Sequence, residues 1–308
     1  MDTITAPEFT NEDKARAFLE AQRWPDGAFC PFCGQTDTVA GLPPKGALGK
    51  GWHHCRDCRK KFTVRVGTLY ERSHIPLHKW LLATHLLCAS KKGMSAHQLA
   101  RMLGITYKSA WFMAHRIREG MTETNPGALG GQNKVVEVDE TYVGGKAKNR
   151  AFAKPPKKEA VVSLIERGGK VRSHHVANVT AKTLRPIIVK HADRSSYLMS
   201  DESLVYPSVG KEFSGHGTVN HSIDEYVRGT FWHTNTIENF FSILKRGIYG
   251  TYQHVSEAHL HRYLAEFDFR HNERVGLGVN DAARMAKAIK GIEGKRLTYR
   301  RTNETAHA

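Results

Sequence analysis

Hydrophobic and polar residues are arranged in two different ways along the chain. Before about residue 120, apolar residues recur at helical spacing, first at 1–26 and then at 74–120. After the linker Thr124–Gly131, which contains three glycines, an asparagine and a proline, short apolar runs follow. These runs predict strands at 134–138, 159–165, 171–176 and 197–200, followed by helices at about 236–247 and 256–271. We therefore expect a helical front part and an α/β rear part.

Four cysteines lie between the two helical blocks, in two Cys-x-x-Cys pairs about 21 residues apart. Each pair can place two thiolates on one side of a tight turn, and together they form the tetrahedral sulfur cage that zinc prefers. The ligands would be Cys30, Cys33, Cys55 and Cys58. We expect this zinc to be structural, because four protein sulfurs leave no open position for chemistry. The fifth cysteine, Cys88, lies in an apolar helical run and is expected in the core.

Residues 95–118 have the pattern of a helix-turn-helix motif. Ser95 can cap the first helix, and Gly104 stands where the turn needs a permissive backbone. A DNA-binding motif of this kind places its second helix in the major groove. We expect groove contacts from Tyr107, Lys108 and Ser109, and phosphate contacts from Arg116 and Arg118.

The charge of the chain points to a polyanionic partner. The net charge is +16 and the isoelectric point is about 9.7, so the protein should recruit nucleic acid. No apolar run approaches the length of a membrane span, and the N-terminus lacks the pattern of a signal peptide. We expect a cytoplasmic, nucleoid-associated protein that has double-stranded DNA as its partner and does not contact a membrane.

Acidic residues follow two of the predicted strands. The run 134–138 contains adjacent valines, which strict alternation does not allow, so we expect a central strand buried on both faces. Asp139 would lie at its end, and Asp201 follows the run 197–200 in the same way.

A third acid, Glu238, begins a predicted helix, and Lys245 follows two turns later on the same helix face. Three carboxylates from separate elements can hold two divalent ions about 4 Å apart for in-line phosphoryl transfer. Such all-oxygen sites suit Mg²⁺, or Mn²⁺ in its place.

These segments resemble the bacterial insertion-sequence transposases of the DDE superfamily, in the group with an N-terminal zinc ribbon. The resemblance covers nearly the whole chain. It rests on Val138–Gly145, the strand before Asp201, His233–Phe241 and Gly250–Val255.

The resemblance implies a multidomain protein with a small zinc ribbon, an all-α helix-turn-helix domain and an α/β RNase H-like domain. That last domain would have a mixed five-stranded sheet with helices on both faces. Asp139, Asp201 and Glu238 would be the metal-binding triad. Some members of such families carry Asn at the third position, and Asn235 and Asn239 flank Glu238. The lysine seven residues later favours Glu238.

The implied activity is cleavage of the element's ends by water, followed by attack of the freed 3′-hydroxyl on target DNA. Lys245 would contact the transposon end, and the adjacent Arg246 is expected to contact DNA as well. Joining two ends implies at least a homodimer. We expect a zinc-ribbon segment at 1–66, a helix-turn-helix domain at 67–124, a catalytic domain at 132–275 and a basic tail at 276–308.

Three other functions remain open at this point. His259 and Arg262 match the His-x-x-Arg of tyrosine recombinases, with Tyr299 as the nucleophile downstream. A DNA-binding regulator with an inactive nuclease-like domain would bind DNA without cutting it. An RNase H-like nuclease or resolvase would cut DNA without joining strands.

Overall fold

The computed structural model of the protein describes residues 4–45, 49–144, 157–219 and 231–298, and the backbone of residues 227 and 228. The chain divides into two compact units. The first draws on Met1–Ser90, Met94–Thr122 and Asn280–Ala308, and the second on Lys91–Gly93 and Glu123–Val279. This grouping does not fix the boundaries of the four segments expected from the sequence, which stay predictions.

The first unit begins with two helices and a small sheet. The helices are α1 (Pro7–Thr10) and α2 (Glu12–Arg23). The Asn11 side chain accepts hydrogen bonds from two backbone N–H groups of the first turn of α2, at 2.9 and 3.1 Å, as the sequence predicts for a helix start. Three antiparallel strands follow, β1 (Val39–Gly41), β2 (Trp52–Cys55) and β3 (Lys61–Thr63).

Three longer helices complete most of this unit. They are α3 (Leu77–Ala89), α4 (Ala96–Leu103) and α5 (Tyr107–Met121). Ser95 caps α4, Gly104 ends it in the left-handed conformation with φ of 59°, and Thr106 caps α5. The helix-turn-helix motif predicted from the sequence is therefore present.

The second unit is built on a mixed five-stranded sheet. Its strands are β4 (Val135–Gly144), β5 (Lys158–Glu166), β6 (Val171–Val176), β7 (Tyr197–Asp201) and β8 (Gly215–Val219), in the order β6-β5-β4-β7-β8. The pairs β4–β5 and β5–β6 are antiparallel, whereas β4–β7 and β7–β8 are parallel. This order and these directions are those of an RNase H-like domain, and the predicted fold class is confirmed.

Helices cover both faces of the sheet. On one face lie α6 (Ala181–His191) and the short α7 (Pro207–Gly210), which pack against β4 through Val136 and Val138. A short hairpin follows, β9 (Val227–Arg228) with β10 (Trp232–His233). On the other face lie α8 (Asn235–Gly247), a π-helical turn at Ile248–Tyr252 and α9 (Glu257–Asn272), and a 3₁₀ turn at Val275–Leu277 follows them.

The central strand extends further than the sequence indicates. We expected the strand to end at Asp139, but β4 continues to Gly144 because β5 pairs with all of it except Val135, from Val136–Glu166 to Gly144–Lys158. Its parallel pairing with β7 stops earlier, at Glu137–Met199. Asp139 therefore lies inside a strand and just past the point at which one of its two neighbours separates from it.

The C-terminal part of the chain returns to the first unit. α10 (Asp281–Lys290) buries its apolar face there, and Arg284 donates a hydrogen bond to the Cys88 carbonyl at 2.9 Å. Arg23 and Glu293 form an ion pair at 2.6 Å. Much of the segment expected to be a basic tail is thus folded.

Among the described residues, no helix combines the length and the apolar character that crossing a bilayer requires.

Candidate metal centres and DNA-contacting residues

The four predicted zinc ligands form a compact cluster in the first unit. Cys30 Sγ lies 3.5 Å from Cys58 Sγ, and Cys33 Sγ lies 3.6 Å from Cys55 Sγ. All four sulfurs lie within 4.8 Å of one another. Zinc with tetrahedral Zn–S bonds of about 2.3 Å would separate its sulfurs by about 3.8 Å. The cluster therefore has the size and the donor set of a four-thiolate zinc centre.

The turn after the first Cys pair depends on a glycine. Gly34 has a φ of 79°, and its N–H donates to the Cys30 carbonyl at 2.9 Å. A Cβ at this position would meet no atom within 4 Å. Glycine is therefore required here by the backbone conformation and not by lack of space, because residues with a side chain rarely adopt this φ.

Three carboxylates meet in the second unit, where β4 and β7 separate. Asp139, Glu140 and Asp201 offer oxygens that lie within 4.8 Å of one another. The pairing between β4 and β7 ends at Glu137–Met199. Beyond that point, β4 stays paired with β5 and β7 stays paired with β8. We call these three residues the acidic cluster.

The acidic cluster is electrostatically unfavourable without a cation. Burial raises the pKa of Asp139 to about 8, and the nearby charge of Asp201 raises it as well. Burial also raises the pKa of Glu140, which accepts a hydrogen bond from the Tyr206 hydroxyl. A divalent ion would offset this repulsion, and the all-oxygen donor set fits Mg²⁺ or Mn²⁺.

Glu238 lies apart from the acidic cluster. Its side chain is exposed on the first turn of α8 and accepts a hydrogen bond from Thr234 Oγ1 at 2.8 Å. Its charge nevertheless contributes to the raised pKa of Asp139, so the two groups interact electrostatically. Asn235 and Asn239 on the same helix are also exposed.

Our sequence reasoning did not identify Glu140 as a member of the acidic cluster. From the sequence we placed Asp139 at the end of its strand and did not consider Glu140, whose side chain points to the opposite face of the strand. Glu140 follows Val138 on the face that carries α7, and Tyr206 at the start of α7 holds its carboxylate near Asp201. The one available signal was the adjacency of two acids in a strand that is otherwise apolar.

The start of α5 offers the predicted groove-contacting residues. Tyr107 and Lys108 are exposed and Ser109 is half-buried. The Tyr107 ring stacks on His97 at a centroid distance of 4.2 Å. These residues therefore form one accessible end of the helix.

The two arginines further along α5 are placed differently from the expectation. Arg116 donates hydrogen bonds to the carbonyls of Leu297 and Glu71, at 3.2 and 3.1 Å. Arg118 is only 2% exposed. The second half of α5 is packed inside the first unit, which leaves Arg116 half-buried and Arg118 buried, so both are less accessible than the sequence indicates.

Lys245 and Arg246 lie in the last turn of α8, and both are exposed. Lys245 is two turns from Glu238 on the same helix, as the sequence predicts. Both side chains are accessible to a partner of the second unit.

The structure places only two of the three residues of the tyrosine-recombinase alternative, His259 and Arg262. His259 and Arg262 contact each other at 3.0 Å on α9. Tyr299 lies outside the residues that the structure describes. The same helix buries its apolar face, which includes Leu260, Tyr263, Leu264 and Phe267.

Comparisons with known proteins agree with this architecture. An ISXO2-like transposase domain matches residues 128–272, and a transposase zinc-ribbon domain matches residues 10–61. The chain is 28% identical over 282 residues to an uncharacterised protein in the transposable element ISH50 of Halobacterium salinarum, covering 85% of this chain and 91% of that protein.

Two solved structures show a weaker likeness. A simian T-cell lymphotropic virus intasome in complex with a PP2A regulatory subunit aligns with 60% of this chain and 67% of its own, at 14% identity and a TM-score of 0.30. A pre-cleavage Mos1 transpososome aligns with 92% of this chain and 90% of its own, at 10% identity and a TM-score of 0.27. TM-scores this low establish nothing further about the chain.

Proposed function

Because the chain belongs to the insertion-sequence transposases that carry an N-terminal zinc ribbon, we propose that it is a DDE-type enzyme that cuts the ends of its element. It would then join the freed 3′-hydroxyl to target DNA by phosphoryl transfer. The strongest support is the acidic cluster at the point where the two central parallel strands separate. A regulator without catalytic activity would have no need for half-buried carboxylates that repel one another.

Asp139 and Asp201 are the proposed ligands of Mg²⁺ or Mn²⁺. Such ions, when bound, activate the attacking oxygen and stabilise the leaving oxygen in phosphoryl transfer. The sheet supplies the positioning, since both aspartates lie on paired strands and need little reorganisation to bind.

Glu238 is the proposed third ligand, although it lies outside the acidic cluster. Its charge acts on Asp139, and its helix begins at the same side of the sheet. Glu140 is the competing candidate, because its oxygens lie nearer to the two aspartates. Each glutamate accepts a hydroxyl hydrogen bond, Glu140 from Tyr206 and Glu238 from Thr234. The position of Lys245, two turns further along α8, is what favours Glu238 as the ligand.

The other parts of the chain would bind DNA. The four-cysteine zinc centre would stabilise the ribbon, and the start of α5 would enter the major groove with Tyr107, Lys108 and Ser109. Lys245 and Arg246 would contact the transposon end. We assign no phosphate contact to the two arginines at 116 and 118. Two ends must be joined, so the active species would be at least a homodimer acting on DNA in the cytoplasm.

The test is a cleavage and strand-joining assay on DNA that carries the element's ends, with and without Mg²⁺. The variants are Asp139→Ala, Asp201→Ala and Glu238→Ala. The matched control is Asp193→Ala, because Asp193 is an exposed aspartate of the same unit whose side chain accepts hydrogen bonds from Ser195. We expect Mg²⁺-dependent cutting and joining that the three variants lose and the control keeps.

The same assay separates the alternatives. A wild-type protein that binds the ends and never cuts them would support the regulator. Cutting without joining would support a nuclease or resolvase. Loss of activity in Tyr299→Phe, with activity retained in Asp139→Ala, would support the tyrosine recombinase.

A further inference from the structure

A second glutamate lies on the same strand as Asp139 and is completely buried. Glu137 precedes Asp139 by two residues, so both side chains point to the face that carries α8. Its exposed fraction is 0%. Burying a carboxylate costs free energy unless its oxygens accept hydrogen bonds. The hydrogen-bond partners of Glu137 therefore indicate its role.

The partners of Glu137 include the first turn of α8. Its Oε2 accepts hydrogen bonds from the backbone N–H groups of Thr236 and Ile237, at 2.9 and 3.0 Å. Its Oε1 accepts one from Thr236 Oγ1 at 2.9 Å. A carboxylate placed here satisfies free N–H groups and interacts favourably with the helix dipole. A residue of the central strand therefore caps the helix that carries Glu238.

Arg167, in the turn between β5 and β6, completes the arrangement. Its Nε donates to Glu137 Oε1 at 2.9 Å. Its two terminal nitrogens donate to the carbonyls of Phe231 and His233, both at 2.9 Å. The arginine thus fixes the segment that leads into α8, while the glutamate fixes the first turn of the helix. We call Glu137 and Arg167 the clasp.

The clasp is unsuited to bind a metal ion itself. A carboxylate has about four lone-pair positions, and four donors from Arg167 and α8 already bond to Glu137. His233 Nδ1 also lies 3.5 Å from Oε1. Glu137 therefore differs from Asp139, whose carboxylate faces other carboxylates.

We propose that the Glu137–Arg167 clasp is a positioning element that sets the N-terminus of α8, and with it Glu238, relative to Asp139. Glu238 directly follows the two residues whose N–H groups Glu137 holds, so a shift of that turn moves the third carboxylate. This inference rests on the proposed function, in which Glu238 is a metal ligand.

The test uses Glu137→Gln and Thr236→Val on the full-length protein. The first keeps the side-chain shape but replaces one acceptor with a donor that faces N–H groups. The second removes only the hydroxyl donor. The matched control is Glu266→Gln, since Glu266 is also 0% exposed and is paired with an arginine, Arg270, within α9.

Two measurements follow each variant. Mn²⁺ affinity is measured by electron paramagnetic resonance of the free ion, and hydrogen exchange is measured at the Thr236 and Ile237 amides. Loss of a group that orients a metal ligand weakens metal binding by about 10- to 100-fold. We expect this in Glu137→Gln, with faster exchange at both amides. Thr236→Val should weaken binding by up to about tenfold, and Glu266→Gln should leave Mn²⁺ affinity unchanged.

Normal Mn²⁺ affinity and normal amide protection in a folded Glu137→Gln protein would overturn the clasp. If that variant does not fold, Arg167→Lys decides the question in its place. Lysine keeps the charge but lacks the fork that bonds Glu137 and two carbonyls together, so unchanged affinity and exchange in Arg167→Lys and Thr236→Val would equally overturn it. A wild-type protein that binds no Mn²⁺ would instead refute the proposed function, while hydrogen exchange would still decide whether the clasp holds α8.

Discussion

The cysteine cluster and the acidic cluster are built in opposite ways. The four sulfurs come from two turns of a short segment and lie at nearly the spacing that zinc requires. The carboxylates come from strands more than sixty positions apart in sequence, and the fold brings them together against their own repulsion. The first site should therefore determine whether its segment folds, and the second should depend on a fold that already exists.

The largest expected effect concerns the cysteine cluster. Cys30→Ser should abolish zinc binding and unfold the sheet β1–β3, because structural zinc contributes about 10–16 kcal/mol of apparent binding free energy in small zinc modules. Zinc content and hydrogen exchange in β1–β3 measure this. Cys88→Ala is the control, because Cys88 is buried in α3 and lies outside the cluster. A Cys30→Ser protein with an intact, protected ribbon would contradict the comparison.

The next effect concerns the choice of the third carboxylate. We expect Glu238→Gln to lower strand cleavage by roughly 100- to 1,000-fold, since a metal ligand contributes several kcal/mol to the transition state. Glu140→Gln should lower it less, by about 10- to 100-fold at most, because Glu140 would then only border the site. Steady-state cleavage at saturating DNA measures both. The opposite ranking would make Glu140 the third ligand, so that the acidic cluster alone would form the metal site without Glu238.

The same contrast explains what the sequence could predict. Zinc ligands that are close in sequence constrain each other's geometry, so the Cys-x-x-Cys spacing was sufficient to predict the cysteine cluster. The RNase H-like fold with its mixed five-stranded sheet was reached through a family resemblance. β8 was missed because Gly215 and Gly217 give it no hydrophobic alternation, although it pairs with all of β7.

Site residues were harder to predict when their environment comes from distant parts of the chain. Arg118 has the sequence context of an exposed basic residue, but packing within the first unit buries it. Glu137 looks like an ordinary strand residue until its bonds to α8 are seen. Hydrophobic periodicity locates elements, whereas tertiary packing decides which polar side chains are free.

A smaller effect should appear as a dependence of stability on pH. The pKa of Asp139 is raised to about 8 in the folded protein by burial and by Asp201. The folded state then binds more protons than the unfolded state between about pH 4 and 8, so this group lowers the free energy of unfolding as pH rises through that range. Without metal, Asp139→Asn should be more stable than wild type at pH 8 by a few kcal/mol at most.

Thermal unfolding in a chelator, at pH 5 and pH 8, measures the difference. The advantage of Asp139→Asn should shrink at pH 5, where the wild-type carboxyl is protonated. Added Mg²⁺ should stabilise wild type and not the variant. An equal stability difference at both pH values would show that repulsion within the acidic cluster is not what the ion offsets.

The smallest effect tests how strictly the cysteine cluster depends on its backbone. Gly34→Ala should weaken zinc binding by about 1–2 kcal/mol, because alanine disfavours the left-handed conformation by that amount and φ is 79° at this position. No clash adds to the cost, since a Cβ there has open space. Gly41→Ala in β1 is the matched control, with equally open space and no positive φ, and competition with a chelator measures both. Equal zinc affinities in the two variants would mean that the turn adapts to its ligands, and that the cysteine cluster is less rigidly formed than its sulfur spacing indicates.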